Sequence, residues 1–417
     1  MTKVGSTWAG THHFGAAQLV EARSVEDVVK AVSAGAKVRA LGTRHSFNDI
    51  ADTGGTLVSV TGLPVDGVLD EVEATFTVGA GARYGDFGPR LEELGWALAN
   101  VGSLPHISVG GAIATGTHGS GLRNRSLSAA VAALEFVGAD GEIHKVKRGE
   151  PDFDGLVVGL GAYGIVTRVT LDVEPSFQIA QHVYKATPWE ALLQDPAAIL
   201  GAAYSVSVFT TWDEPSIEQV WVKSRPDRDA TLPRDWMGSR RVDMGTTQLA
   251  GGDPAALTPH RGQPGPWIER LPHFRLDFTP SNGDEIQTEY FVPFADATAA
   301  LEAVRSLGER IAPHLHVSEV RTIAAEPLWL SGAYDRDTLC IHFTWRNEPE
   351  AVAELNVLVE AALAPFHPRP HWGKVNSMSA EAIEAAHPRV ADAKALCDRL
   401  DPQGMFANEY LKRVGLR

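Results

Sequence analysis

The stretch Leu41-Gly42-Thr43-Arg44-His45-Ser46-Phe47-Asn48 places a histidine among small and polar residues directly after an apolar, strand-like segment at residues 37–41. Glycine relieves the steric limit on the backbone. The chain can therefore turn tightly at Gly42 and direct consecutive N–H groups at an anion such as a phosphate. His45 lies at the tip of this turn, and its chemistry allows three roles: a bystander, a base or an attachment point.

A second group of reactive side chains lies on segments that have the pattern of strands. Glu319 and Arg321 are two residues apart in the segment 317–322, so they share one face, and His342 and Thr344 repeat this spacing in the segment 338–346. Lys374 follows a turn-rich Pro-His-Trp-Gly segment. Charged side chains are costly to bury unless they are paired or functional. The pattern leaves two readings open: a structural Glu–Arg pair on a solvated sheet face, or a substrate site.

Two further motifs are misleading. Residues 159–164 read Gly-Leu-Gly-Ala-Tyr-Gly, which matches the dinucleotide fingerprint, but an alternating strand at 165–173 follows where the mechanism requires a helix. We therefore predict a structural turn that touches a cofactor. His314 and His316 have the spacing of two metal ligands on a strand, but no acidic or cysteine partner pattern accompanies them, so we predict no metal site.

The elements that must position these residues follow from periodicity and turn signals. Before residue 175 we predict two helices, one capped by Ser24 and one at 84–94 that is closed by Gly95. A hairpin is predicted around Asp140-Gly141. The predicted strands are 37–41, 57–60, 74–80, 131–137, 142–146 and 165–173. Residues 100–121 are glycine-rich and show no periodicity.

The middle of the chain has a different pattern. Strands are predicted at 204–211, 219–223, 286–292, 317–322 and 338–346, with helices at 301–311 and 352–358. Strands interleaved with helices on a mostly antiparallel sheet indicate an α+β substrate domain. Residues 224–272 lack periodicity, and a connection of this length is usually a lid or a binding loop. A last helical segment is predicted at about 380–400.

Composition excludes several classes of protein. A chain of 417 residues indicates two domains. The net charge of −15, from 37 basic and 52 acidic residues, argues against nucleic acid or an anionic membrane as a partner. Cys340 and Cys397 are far apart, which indicates no disulfide framework and a reducing compartment. Because neither a signal peptide nor a membrane-spanning apolar run is visible, we expect a cytoplasmic protein.

Four motifs and a C-terminal ending carry a family resemblance over essentially the whole chain. In order, they are residues 42–48, Ser103-Leu-Pro-His-Ile-Ser108, Ala114-Thr-Gly-Thr-His-Gly-Ser120, Pro370-His-Trp-Gly-Lys374 and an Asp-Pro-x-Gly-x-Phe ending at 401–406. With them the chain resembles the vanillyl-alcohol-oxidase superfamily of flavoproteins. Within it, the chain is most similar to the alditol (xylitol) oxidases, which are relatives of the aldonolactone oxidoreductases.

The resemblance implies a two-domain α+β fold. Its parts would be a PCMH-type FAD-binding domain at 1–175, a substrate-binding cap domain with an antiparallel sheet at 176–375, and a C-terminal segment at 376–417 that returns to the FAD domain.

The resemblance also implies that the cofactor is FAD, bonded covalently to His45 through its 8α-methyl group. Many similar proteins have glycine where this chain has Arg44. No second linkage through cysteine is implied. His118 is either a contact of the cofactor or a loop histidine bonded to the backbone. The FAD contacts carried over besides His45 are Ala40, Leu41, Gly42, Thr43, Arg44, Ser46, Ser103, Ser108, Gly111, Thr115, Gly116, Thr117, His118, Ile165 and His371.

On the substrate side, the resemblance implies an oxidase that converts the terminal hydroxyl of an alditol to the aldose and reduces O2 to H2O2. Because no side chain accepts a hydride, the flavin must. The implied substrate contacts are Ser103, Glu319, Arg321, His342, Thr344 and Lys374, of which Glu319, Arg321 and Lys374 are catalytic. Lys374, with its pKa lowered by Arg321 and by desolvation, would help to take the hydroxyl proton.

Three alternatives remain open at this point. Gly102 is either a turn glycine or leaves a path for oxygen to the flavin. The protein could be an aldonolactone oxidase or dehydrogenase of the same fold, or a flavin-binding protein without turnover. In every case we expect a small-molecule partner, no nucleic acid, no membrane, no metal and a monomer.

Overall fold

The computed structural model describes residues 4–243, 247, 252–259, 261–278 and 284–417. The chain begins with a parallel sheet of three strands in the order β1-β3-β2, formed by Gln18–Glu21 (β1), Val38–Leu41 (β2) and Thr56–Ser59 (β3). Helix α1, Val25–Ala34, covers this sheet with Val28 and Val32. Ser24 caps it by accepting a hydrogen bond from the Asp27 backbone, which confirms the predicted cap.

An antiparallel sheet of five strands follows, in the order β4-β5-β9-β7-β8. The predicted hairpin is confirmed: β7 pairs with β8, and Gly141 takes the left-handed φ of +77° that the turn requires. Residues 100–121 contain one short helix, α3, that the sequence pattern did not predict. The elements are Val68–Asp70 (β4), Thr75–Gly79 (β5), Tyr84–Glu93 (α2), Trp96–Ala97 (β6), Val109–Ala114 (α3), Val131–Gly138 (β7), Ile143–Lys147 (β8), Phe153–Leu156 (α4), Gly164–Asp172 (β9) and Glu174–Pro175 (β10).

The middle of the chain forms a large antiparallel sheet of ten strands. Its order is β14-β15-β11-β13-β12-β18-β19-β17-β20, and β16 pairs with β11. The strands are Gln178–Pro188 (β11), Ser205–Thr210 (β12), Ser216–Ser224 (β13), Asp235–Trp236 (β14), Ser239–Val242 (β15), Gly265–Pro266 (β16), Glu285–Pro293 (β17), Leu315–Ile323 (β18), Thr338–Arg346 (β19) and Arg369–Pro370 (β20).

Five helices cover one face of this sheet: Trp189–Gln194 (α5), Pro196–Leu200 (α6), Ala297–Arg305 (α7), Gly308–Ile311 (α8) and Pro349–Leu363 (α9). Alternate residues of the central strands, such as Val320 and Phe343, enter this apolar layer. Their neighbours along the strands, Glu319 and Thr344 among them, therefore point to the opposite face. That face meets the two glycine-rich loops of the first 175 residues.

The C-terminal segment carries three helices, Ala380–Ala386 (α10), Val390–Leu400 (α11) and Glu409–Arg413 (α12). The sequence predicted one helical segment at 380–400, but the chain breaks between α10 and α11 at Pro388, which has no N–H to donate. The tail then lies against the first sheet. Val38 N donates to Met405 O at 3.0 Å, and Asn408 Nδ2 donates to Asp52 O at 2.9 Å.

The aperiodic connection at 224–272 contains little regular structure. The connection at 224–272 holds the short strands β14, β15 and β16, and the residues that follow it, His273 and Phe274, line the cleft of the candidate active site. Residues 244–246, 248–251 and 260 of this connection lie outside the described residues. Within the described part of the chain, no helix combines the length and apolar character needed to cross a membrane.

Candidate active site

A cleft lies between the glycine-rich loops and the open face of the ten-stranded sheet. It brings together nearly all residues singled out from the sequence, although they come from segments more than 300 residues apart. Those that line it are Ala40, Leu41, Gly42, Thr43, Arg44, His45, Ser46, Ser103, Ser108, Gly111, Thr115, Thr117, His118, Glu319, Arg321, His342, Thr344, His371 and Lys374.

Two residues on the sequence-derived set do not line the cleft. The side chain of Ile165 is fully buried in the apolar cluster beneath α1, together with Val28 and Val137. Gly116 is a turn residue with a left-handed φ of +68°. Gly116 therefore shapes the second loop by its backbone, and Ile165 belongs to the core.

The two glycine-rich loops are held in direct contact. Ser108 N donates a hydrogen bond of 3.0 Å to Thr43 Oγ1. A Cβ on Gly42 would lie 2.5 Å from Ser108 Oγ, so the serine hydroxyl would have to rotate away. The two loops thus approach each other closely at Gly42 and form one continuous wall of the cleft.

His45 is presented to the cleft as a neutral imidazole. Burial lowers the pKa of His45 to about 4, and the nearby His106 and Arg83 lower it as well. The ring stacks on Trp8 with centroids 5.5 Å apart. Its Nδ1 atom is buried and has no hydrogen-bond partner among the described residues. A neutral ring nitrogen without a partner is available for a bond to a group in the cleft.

Arg44 adopts a left-handed φ of 66°, a conformation that favours glycine. The side chain is directed to the N-terminal segment: Nη1 donates to Val4 O at 2.8 Å, and the guanidinium lies 5.7 Å from the centre of the Phe14 ring. The arginine therefore braces the turn against the N-terminal segment and leaves the histidine accessible.

The segment that carries Lys374 is anchored to the same loop. Phe47 N donates to Gly373 O at 2.7 Å, and Asn48 Nδ2 donates to the carbonyls of Trp372 and Lys374, both at 2.9 Å. These bonds fix the position of Lys374 relative to His45 across more than 320 residues of sequence.

Strand register places three polar residues in one row across the sheet. Glu319 on β18 and Glu289 on β17 are each paired in register with His342 on the intervening strand β19. Burial lowers the pKa of His342 to about 4, and neither ring nitrogen has a hydrogen-bond partner among the described residues. A neutral histidine with open donor and acceptor atoms is suited to bind a hydroxyl group.

Glu289 is the centre of a buried charge cluster that the sequence analysis missed. Its Oε1 accepts from Arg321 Nη2 and its Oε2 accepts from Lys374 Nζ, both at 2.7 Å. His118 Nε2 lies 3.2 Å from Oε1, while His118 Nδ1 donates to Gly119 O at 2.8 Å. The backbone bond of His118 is thus confirmed, and the residue also lines the cleft. Its contact with a cofactor stays a prediction.

Electrostatic effects in this cluster are strong because water is excluded. Burial would raise the pKa of Glu289, but Lys374 and Arg321 hold it well below its usual range. Burial and Arg321 lower the pKa of Lys374, whereas Glu289 opposes that shift. Glu319 and Arg321 are only 6% and 5% exposed. They therefore do not lie on a solvated sheet face.

Glu319 has a partner of its own that the sequence did not reveal. Its Oε1 atom is 2.8 Å from His273 Nε2, and its Oε2 atom is 3.7 Å from Arg321 Nε. The backbone N–H of His273 also donates to Ser103 O at 3.1 Å. His273 lies after the aperiodic connection, where no pattern pointed to it. Glu289 could have been found from Glu285, Gln287 and Glu289, which alternate along one strand face.

The glycine-rich motif at 159–164 is followed by a strand, as predicted. Gly159 and Gly161 line the cleft, and β9 follows them where a dinucleotide fold would have a helix. His314 is partly buried, and its Nδ1 atom lies 2.5 Å from Glu348 Oε2, an acidic partner that the sequence pattern did not show.

Comparison with family models matches both halves of this architecture. A model described as an FAD binding domain matches residues 16–147, and a model described as D-arabinono-1,4-lactone oxidase matches residues 282–414. The first range contains both glycine-rich loops, and the second contains Glu289, Glu319, Arg321 and Lys374.

Similar proteins span the whole chain. Alditol oxidase of a Streptomyces species is 44% identical over 99% of both chains, and L-gulono-1,4-lactone dehydrogenase of Mycobacterium tuberculosis is 29% identical over 99% of both. The crystal structure of cholesterol oxidase from B. sterolicum superposes with a TM-score of 0.78 at 16% identity, covering 99% of this chain and 96% of that one, which shows the shared fold. The chain therefore belongs to the vanillyl-alcohol-oxidase family of FAD-dependent oxidoreductases, in the group that contains alditol oxidase.

Proposed function

We propose that this protein is an FAD-dependent alditol oxidase. It would oxidise the terminal primary hydroxyl of polyols such as xylitol and sorbitol to the aldose and reduce O2 to H2O2. The observation that carries the proposal is the full-length similarity to alditol oxidase combined with a cleft that joins the flavin-type loops to buried Glu319, Arg321 and Lys374.

The chemistry of the cleft fits FAD. Bound there, the flavin would accept the hydride from the substrate carbon and pass the electrons to oxygen. The loop at 40–46 offers backbone N–H groups for the pyrophosphate, and the small residues of the second loop allow close approach to the ring. We further propose that His45 holds the flavin covalently. The support is its buried, partnerless Nδ1 atom and a pKa lowered to about 4, which keeps the imidazole neutral.

The polyol would lie over the open sheet face. Glu319 accepts hydrogen bonds from hydroxyl groups, Thr344 and His342 can both donate and accept, and Ser103 closes the site from the loop side. These four side chains all line the cleft. The substrate hydroxyls would form hydrogen bonds with the two ring nitrogens of His342, which have no partner among the described residues. A polyol therefore suits this face better than an apolar substrate, which would leave these nitrogens without hydrogen bonds.

Proton removal is assigned to Lys374. Its lowered pKa makes the neutral amine accessible, so Nζ can receive the proton of the reacting hydroxyl. Arg321 stays cationic: burial lowers its pKa, but Glu319 and Glu289 raise it above its ordinary value. Arg321 then stabilises the negative charge that develops on the substrate oxygen. Glu289 accepts hydrogen bonds from both Arg321 and Lys374 and so fixes their positions.

The domain bounds and the cellular setting are proposals as well. We assign residues 1–175 and 376–417 to FAD binding and residues 176–375 to the substrate cap, since the C-terminal tail bonds to the first sheet through Val38 and Asn408. We expect a monomer in the cytoplasm.

A panel of substrates tests the function. Xylitol, sorbitol, shorter and longer alditols, and L-gulono-1,4-lactone are each added to the purified protein, and H2O2 is measured. Alditols should release peroxide and bleach the flavin under anaerobic conditions. The lactone is included because a lactone oxidase model matches residues 282–414. Turnover of the lactone alone would favour the aldonolactone alternative, and no bleaching by any compound would indicate a flavin-binding protein without turnover.

A further inference from the structure

Behind the substrate face lies a buried lysine that the mechanism above does not use. Lys223 on β13 is only 1% exposed. Its Nζ atom donates to the carbonyl oxygens of Leu271 and Pro272, the latter at 3.2 Å, and lies 2.9 Å from His273 Nδ1. A buried ammonium is costly unless each of its hydrogens has an acceptor. Lys223 has three hydrogens and three such partners.

These contacts determine where the proton of His273 resides. An ammonium group donates and cannot accept, so His273 Nδ1 must accept from Lys223. The single N–H of the neutral imidazole is then on Nε2, which faces Glu319 Oε1 at 2.8 Å and Ser207 Oγ at 3.5 Å. Burial and Lys223 lower the pKa of His273 to about 4, which agrees with a neutral ring. The lysine therefore fixes the tautomer that donates to Glu319.

We propose that Lys223 and His273 are positioning residues that hold Glu319 ionised and oriented for the polyol. This inference rests on the proposed function and extends it by two residues, His273 on the lining of the cleft and Lys223 behind it. The hydrogen bonds run from the ammonium of Lys223, through the ring of His273, to Oε1 of Glu319. Oε2 of Glu319 lies 3.7 Å from Arg321 Nε and 3.9 Å from His342 Nδ1, and in this proposal it is the oxygen that accepts a substrate hydroxyl.

The backbone around His273 supports this role. The same short segment supplies two of the three acceptors of Lys223, and its His273 N–H bonds to the carbonyl of Ser103 at 3.1 Å. The rings of Trp221 and Phe209 both pack edge-on against His273, with centroids 5.0 and 5.7 Å away. The segment thus connects β13, β18 and the Ser103 loop. It sets the distance between two groups that would hold the substrate.

A pH dependence follows from the geometry. The charged or titratable neighbours of Lys223 are His273 and, beyond it, Glu319 and Arg321, while β11 and β12 place the uncharged Gln181 and Ser205 opposite it. Burial lowers the pKa of Lys223 to about 7, against the opposing effect of Glu319. As the pH rises through that value, the Lys223 amine loses one of its three N–H donors. The tautomer of His273 is then no longer fixed, so Glu319 no longer receives a hydrogen bond from His273 Nε2 in every molecule. Substrate binding should therefore weaken with rising pH.

The test compares Lys223→Met with the pair His273→Phe and His273→Gln. Loss of a hydrogen bond to a charged group should lower kcat/KM for the polyol by about 10- to 100-fold in Lys223→Met and His273→Phe, mainly through KM. In the wild type, kcat/KM should decrease as the pH rises through about 7, and this decrease should be absent in Lys223→Met. Glutamine can donate to Glu319 without help from Lys223, so His273→Gln should recover most of kcat/KM. Lys145→Met, at an exposed surface pair, is the matched control.

Several results would overturn the inference. One is a folded, flavin-loaded Lys223→Met with unchanged kcat/KM and pH profile. If Lys223→Met does not fold, the histidine pair decides: equal kcat/KM for His273→Phe and His273→Gln rejects the role. Nuclear magnetic resonance of ¹⁵N-histidine-labelled protein separates this inference from the proposed function. Even if no polyol is oxidised, the Lys223–His273–Glu319 contacts are supported when His273 Nδ1 is unprotonated in the wild type and becomes protonated, or a mixture of both forms, in Lys223→Met. A protonated Nδ1 in the wild type refutes the inference.

Discussion

Replacing Glu289 by glutamine tests the buried charge cluster directly. The substitution keeps the size of the side chain but removes the negative charge that contacts Arg321 Nη2 and Lys374 Nζ, each at 2.7 Å. In the wild type, Glu289 is the carboxylate that directly contacts both Arg321 and Lys374. The variant would leave these two buried groups with one negative charge fewer.

The magnitude follows from the burial of the group. Breaking a buried ion pair by removing one partner costs about 3–5 kcal/mol. The amide oxygen of glutamine can still accept one of the two bonds, so we expect the lower end, about 3 kcal/mol. One kcal/mol shifts the Tm of a domain of 150–250 residues by about 2–4 °C. Because this chain is longer, we expect the Tm to fall by roughly 3–6 °C.

The pH dependence gives a second, independent signature. Since Lys374 and Arg321 hold the pKa of Glu289 well below 4.5, its stabilising effect is complete above the unfolded value of 4.5 and is lost as the pH falls. The difference in Tm between wild type and Glu289→Gln should therefore be constant at neutral pH and shrink in acid. Without Glu289, the pKa of Lys374 should fall further, so the rise of flavin reduction with pH should move to lower pH.

The assays are thermal unfolding at several pH values and anaerobic stopped-flow reduction by xylitol. Glu360→Gln serves as the matched control, because among the described residues Glu360 accepts from the neutral donors Tyr290 OH and Ser377 N, both at 2.7 Å. It should lose about 1 kcal/mol or less. Equal Tm values for wild type and Glu289→Gln, with unchanged pH profiles, would refute the reasoning about the cluster.

Three further substitutions address the proposed chemistry. Lys374→Met should slow anaerobic flavin reduction by about 10²–10⁴-fold, as expected for a lost acid–base group, and an unchanged stopped-flow rate would exclude Lys374 as the base. Acid-denatured wild type should stay yellow while His45→Ala releases its flavin to the supernatant. Release from the wild type would contradict the covalent bond. In Gly102→Ala the new Cβ would meet Ile107 Cδ1 at 3.5 Å and Thr117 Cγ2 at 3.7 Å, which are ordinary contacts. The rate with oxygen should therefore fall while reduction of artificial dyes is spared, and equal losses would reject an oxygen path at Gly102.

Local patterns in the sequence were sufficient for the elements next to the site. The cap at Ser24 depends on residues three apart, the hairpin at Asp140-Gly141 depends on a two-residue turn, and the shared face of Glu319 and Arg321 depends on the strand period of two. Each is decided within a few residues of chain, and each is confirmed. The α+β class and the antiparallel middle sheet follow from the same kind of information.

Local sequence did not decide side-chain surroundings where the deciding contact is distant. Ile165, which the family resemblance implied as an FAD contact, lies next to the cleft-lining Gly164, but its side chain is buried in the core beneath α1. The predicted segment at 380–400 has helical periodicity throughout, yet Pro388 divides it.

The sequence by itself determined the turns and most of the strands that carry the site residues, and the order of motifs indicated the family, whereas β11 and α3 were not predicted. Only the tertiary structure decided which charges meet. The register of β17, β19 and β18 places Glu289, His342 and Glu319 in one row, and register is fixed by pairing between strands, which no local period encodes. His273 and Lys223 are 50 residues apart and join behind Glu319 only when the connection folds back onto β13. Water is excluded there by the whole fold, and this exclusion gives the charges of the site their strength.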